Sequence, residues 1–163
     1  MLKQVQKLIL LIIIGFLKMV LFVIMIQHYM MNFLVNHQNL NIIKDKKFIC
    51  FAGSVPQAKE LGGDGAVHSS NKKNDEIIQA FNEGETKSIY AVNMLKEGIN
   101  LSDIEASLII QLSSKELDIV QRTGRILRAK EQPEQYIIYY KNTQDEKYLG
   151  NVLKLFDVEE LVL

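Results

Sequence analysis

The sequence predicts an α/β domain built on an open, mostly parallel sheet with helices on both faces, preceded by a hydrophobic N-terminal helix. Three observations predict it. From residue 46 onward, short apolar runs alternate with stretches of helical period, the pattern of strands joined by crossover helices. Glycine-rich or polar turns separate these segments. Ahead of them, residues 8–26 hold 17 apolar residues interrupted only by Gly15 and Lys18, close to the roughly 20 that cross a bilayer as a helix.

That leader opens the chain. Lys3 and Lys7 precede it as in the positive start of a signal sequence, but no small-residue cleavage site lies after it. Three readings stay open for residues 1–44. They are a membrane anchor with its transmembrane helix at 8–26, a helix that packs on a partner, or aberrant, out-of-frame sequence fused to a genuine domain. The third is motivated by composition, because the leader lacks the mixed, periodic character of residues 46–160.

The domain is expected over residues 46–160. Residues 47–52 (K-F-I-C-F-A) form an apolar run ended by Gly53-Ser54 and read as a buried strand. Residues 55–61 suit a helix, with Gly62-Gly63-Asp64-Gly65 as cap and turn. Residues 66–68 form a brief strand. In 74–82, Ile77, Ile78 and Phe81 fall on one helical face, with Gly84 just beyond. Residues 88–92 and 106–112 are the next strands. Ser113 or Ser114 caps a helix running to about residue 126, with Glu116 in its first turn. Residues 135–140 (Q-Y-I-I-Y-Y) close the series as a strand whose tyrosines alternate on a core surface, and 145–156 form a last amphipathic helix.

Composition narrows the function classes. A chain of 163 residues has room for one domain plus an appendage, and 48% hydrophobic content supplies a core. Lys+Arg and Asp+Glu both number 19, which excludes a protein that coats nucleic acid by bulk charge but not one that grips it with a few local donors. Cys50 is the single cysteine, so neither a disulfide framework nor a cysteine-based zinc site can be built. A reduced, cytoplasmic compartment is expected, membrane-anchored if the leader is genuine, with Cys50 a small buried hydrophobe.

In an open parallel sheet, function gathers at the carboxyl ends of the strands. Residues 51–54, 68–70, 93–101 and 141–143 fall there, and residues 121–128 (Q-R-T-G-R-I-L-R) lie at the end of the helix after the fourth predicted strand. Arg125 and Arg128, three apart, share a helical face that Gln121 joins. Two guanidinium groups and an amide can clamp an anion whose charge spreads over several oxygens. His68 reads as a structural strand-end residue, and 141–143 receive no role.

Q-R-T-G-R-I-L-R resembles motif VI of superfamily 2 helicases. A-V-N-M-L-K-E-G-I-N-L (91–101) resembles their motif V, K-F-I-C-F-A-G-S (47–54) their motif IV, and V-H-S-S (67–70) the strand-end element after it. Order and spacing agree over residues 46–140. The resemblance implies a RecA-like second ATPase lobe of an ATP-dependent DNA or RNA helicase or translocase. Arg125 and Arg128 would reach the γ-phosphate of ATP as arginine fingers, with Gln121 beside them. Glu97, Gly98 and Asn100 would lie at the nucleotide, with Asn100 standing where family members often carry Asp. Ser54, Ser69 and Asn93 would contact the nucleic-acid backbone, and such contacts carry no sequence information. The chain contains no G-x-x-x-x-G-K-[ST] and no D-E-x-D or D-E-x-H element, and no metal ligand is assigned. Those elements belong to the family's first lobe, on another chain or lost by truncation. ATP with Mg²⁺ is expected to bind only jointly with it. The alternative is a non-enzymatic nucleic-acid or protein-binding module on the same fold, membrane-tethered through residues 8–26.

Overall fold

The computed structural model of the chain describes residues 6–14, 17–26, 43–92, 101–112, 133–140, 142–154 and 157–161. The first two elements, β1 (Gln6–Ile14) and β2 (Leu17–Ile26), are strands. They occupy the run expected to be a hydrophobic helix, and they pair antiparallel from Gln6↔Met25 to Ile14↔Leu17. An apolar run without a clear period is compatible with either element. This one is rich in isoleucine and valine, and β-branched side chains favour a pleated surface. Among the described residues no helix is long and apolar enough to cross a membrane.

The remaining elements are β3 (Phe48–Phe51), α1 (Val55–Gly62), β4 (Ala66–Val67), α2 (Asn74–Glu83), β5 (Ser88–Ala91), β6 (Ala106–Ile109), β7 (Glu134–Tyr140), α3 (Gln144–Leu153) and β8 (Asp157–Leu161). A 3-10 turn, Gly63–Gly65, joins α1 to β4 where a glycine turn is expected. The sheet runs β4-β5-β3-β6-β7-β2-β1-β8. Its five strands from β4 to β7 are parallel, as the sequence predicts, and β2 joins β7 parallel from Val20↔Glu134 to Ile26↔Tyr140. β8 pairs antiparallel with β1 and has no counterpart among the elements the sequence predicts.

Local chemistry sets the helix ends. Gly84 caps α2 in the left-handed region at φ 81° and donates to the carbonyls of Ala80 and Phe81. Thr143 caps α3 by accepting the Asp145 N–H at 3.2 Å. Asn142 before it sits at φ 62°, a conformation asparagine tolerates better than most residues. Residues 142 and 143 thus serve the entry to α3.

Alternation at period two splits the core. One face of the sheet carries Ile49, Phe51, Ile89, Ile109 and Ile137 against Phe81 of α2 and Leu149 and Val152 of α3. The other carries Phe48, Cys50, Tyr90, Leu108, Tyr136 and Ile138 against Ala58 of α1 and Ile43. At the amino ends of the strands, the Lys47 N–H donates to Glu105 Oε2 at 2.6 Å and the Glu134 N–H to the Glu105 carbonyl at 3.0 Å. Lys46 Nζ pairs with Glu134 Oε1 at 2.5 Å. These contacts tie β3, β6 and β7 together at the rim opposite the expected site.

The outer edge of β4 is closed by side chains. Val67 turns its carbonyl to β5, accepting the Val92 N–H at 3.0 Å. Asn71 donates its amide to the outward Ala66 carbonyl at 2.8 Å. The Asn74 amide takes the next residue from both sides, accepting the His68 N–H at 3.2 Å and donating to the His68 carbonyl at 2.9 Å. Edge backbone groups that would otherwise seek another strand are occupied.

Burial raises the Cys50 thiol above its ordinary 9.0. Burial likewise raises Tyr90, Tyr136 and Tyr139 above 10.0, and for Tyr136 the hydrogen bond to Glu134 adds to it. All four therefore keep their protons to higher pH in the folded chain than in the unfolded one, and unfolding releases protons once pH passes their ordinary values. Their stabilisation is complete below about pH 9 and declines above it, by about 1.4 kcal/mol per pH unit for Cys50 alone. Urea midpoints should be level from neutral pH to about 9 and then fall. A midpoint that stays level to about pH 11 contradicts this.

Candidate functional site

The connections of the sheet locate the crevice. From the carboxyl end of β3 the chain leaves through α1, which packs on the Cys50 face. On the opposite face Leu101 and Ile104, just before β6, pack with Ile49. β3 and β6 are neighbours in the sheet, with β4 on the β3 side and β7 on the β6 side, so the strand order reverses between β3 and β6. Ligands of open α/β sheets bind outside the carboxyl ends of the strands at such a point.

Ser54 stands on this rim as the N-cap of α1, with φ −148° and ψ 157°. Its Oγ accepts the Gln57 N–H at 3.4 Å, and Gln57 Oε1 accepts the Gly53 N–H at 2.8 Å. The exchange is a variant of the capping box. Pro56 in the first turn adds a backbone already set for helix. Ser54 is exposed, and because its oxygen acts as acceptor to Gln57, its O–H is left to donate outward.

Gln111 follows β6, the strand beside β3. β6 ends at Ile109, three residues before the predicted end of that strand, which brings Gln111 out onto the rim. Its side chain lies over Gly53: a Cβ at Gly53 would fall 1.7 Å from Gln111 Oε1 and 2.6 Å from its Cδ. Glycine is required there for close approach rather than for φ. Sequence reasoning misses Gln111 because it falls inside a predicted strand. The polar residue at the end of an apolar run is the available signal.

Ser69 is exposed in the turn after β4, at the carboxyl end of the edge strand. The structure therefore brings Ser54 to the β3 end of the rim and Ser69 to its β4 end. His68 is 4% exposed, its backbone is bonded to Asn74, and its Nδ1 has no hydrogen-bond partner among the described residues. It is buried at a strand end, as expected. Beside it a cavity of about 760 Å³ runs between the end of α1 and the start of α2, lined by Lys59, Asp64, His68, Asn71, Lys73 and Glu76 among others.

Asn93, Glu97, Gly98, Asn100, Gln121, Arg125 and Arg128 lie outside the described residues. Their flanking elements are described. Residue 93 lies two positions past Ala91, the last residue of β5, and residues 113–132 stand in the chain between Leu112, beyond the carboxyl end of β6, and Pro133, just before β7.

Comparison with known proteins gives a consistent result. The helicase conserved C-terminal domain family matches residues 18–130. The DNA 3'-5' translocase XPB2 of Sulfurisphaera tokodaii is 28% identical over 132 residues, which cover 72% of this chain and 30% of that protein. Among solved structures, the E. coli DEAD-box protein SrmB superposes with a TM-score of 0.61 at 18% identity, over 76% of this chain and 78% of that one. The yeast DEAD-box splicing factor Prp28 superposes with a TM-score of 0.67 at 19% identity, over 82% and 31%. Mycobacterium smegmatis helicase Lhr bound to ssDNA and AMP-PNP gives 0.59 at 17% identity, over 76% and 19%.

Proposed function

Because this chain belongs to the helicase conserved C-terminal domain family, and is the C-terminal lobe of a superfamily 2 helicase or translocase with a RecA-like fold, we propose that it supplies one wall of a nucleic-acid-dependent ATPase. In this reading Arg125 and Arg128 face the γ-phosphate of ATP and Gln121 assists them. Glu97, Gly98 and Asn100 approach the nucleotide, while Ser54, Ser69 and Asn93 hold the nucleic-acid backbone independently of base sequence. A first lobe carrying the phosphate-binding loop and the Mg²⁺-binding carboxylates completes the site, on another chain or elsewhere in a longer one, in the cytoplasm. When bound there, ATP and Mg²⁺ would supply the phosphoryl group and its charge neutralisation.

One observation carries the reading: the family match spans residues 18–130 continuously. It takes in the strand ends that carry Ser54 and Ser69 and the Q-R-T-G-R-I-L-R segment at 121–128. The Lhr complex with ssDNA and AMP-PNP supports it by likeness of fold. The test is reconstitution. Mixed with a first lobe from a superfamily 2 relative and single-stranded nucleic acid, the chain should restore ATP hydrolysis that neither part shows alone. An unchanged background rate with every nucleic acid offered would refute the proposal.

A further inference from the structure

We infer that Gln111 is a nucleic-acid-contacting residue of this lobe, its amide donating to a backbone phosphate beside the Ser54 hydroxyl. The inference rests on the proposed function and adds to it a residue that no motif assigned. Four observations converge. Gln111 follows β6, the neighbour of β3 where the strand order reverses, the place in such sheets where ligands enter. Its side chain is exposed and, among the described residues, makes no hydrogen bond. It lies over Gly53, immediately before Ser54. The Ser54 oxygen is engaged as an acceptor, which leaves its O–H as a donor of the same chemistry on an exposed residue.

The chemistry selects the ligand. Among the described residues, Gly53, Ser54, Gln57 and Gln111 form a neutral polar cluster. A polyphosphate, with several charges on adjacent groups, calls for cations. A phosphodiester bears one negative charge and is commonly held by neutral amide and hydroxyl donors. The amide carries two N–H donors, so one can hold a phosphate oxygen while its carbonyl stays over Gly53.

The experiment uses the full chain and a fluorescein-labelled oligodeoxythymidylate, with anisotropy read at low salt and in rising salt. Gln111→Glu keeps the shape but replaces the donor with a like charge, and should weaken binding by about tenfold or more. Gly53→Ala, whose methyl pushes the Gln111 amide aside, should weaken binding in the same direction while the thermal midpoint stays near wild type. Gln111→Asn, a shorter donor, should recover part of the loss. If wild type binds the oligonucleotide and both Gln111→Glu and Gly53→Ala bind it as tightly, the assignment to Gln111 is overturned while the function stands. If wild type binds neither this probe nor its RNA counterpart, the proposed function itself fails.

Discussion

Arg125→Ala is expected to lower the nucleic-acid-stimulated ATP hydrolysis of the reconstituted motor by about 10³- to 10⁵-fold, the range a supplied arginine contributes to phosphoryl transfer. The reasoning is electrostatic. Charge on the transferring phosphoryl group spreads over its equatorial oxygens, and a planar guanidinium placed before the reaction stabilises it without further reorganisation. The loss should fall on kcat, with the KM for ATP changed far less, because the contact strengthens as the transition state forms. Arg125→Lys should recover little, since a point charge cannot span two oxygens as the fork does. Single-turnover hydrolysis with saturating single strand reads this directly. Equal rates for wild type and Arg125→Ala, both above background, would remove Arg125 from the site. Arg128→Ala then shows whether its neighbour carries the role alone.

Phe81→Ala should cost about 3–5 kcal/mol of stability, a large share of the roughly 5–15 kcal/mol that holds a domain of this kind. Phe81 is fully buried and heads the largest enclosed side chains. It joins α2 to Ile49, Val67, Ile89 and Ile109 on the sheet. Lys47 Nζ stands 4.6 Å from its ring centroid, and its backbone carbonyl accepts from Gly84, which ends the helix. Truncation leaves a cavity whose walls include a sheet that cannot collapse into it. Chemical denaturation should show the midpoint falling with little change in slope. A loss below about 1 kcal/mol would mean that α2 repacks, and that the core on this face is looser than its contacts imply.

The central fold is legible in the chain because each strand is a short apolar run stopped by glycine or a polar turn. Gly53-Ser54 ends β3 and Gly84 ends α2 for reasons written locally. The same logic fails where local signals are silent. Residues 8–26 are apolar at every phase, so helix and strand fit them equally, and the pairing of β2 with β7 joins residues more than a hundred positions apart. β8 is built from D-V-E-E-L, whose charges resemble a solvated tail. The site divides the same way. Ser54 can be picked out because an N-cap is a local pattern. The approach of Gln111 to Gly53 spans 58 positions and depends on where β6 stops, which no spacing in the sequence reveals.

Two asparagines at the border of β4 act as a counterfeit neighbour. Their three hydrogen bonds to Ala66 and His68 mimic the ladder another chain would offer, so an arriving segment must first evict them. Copies emerging together during synthesis consequently find no welcoming selvage on this flank.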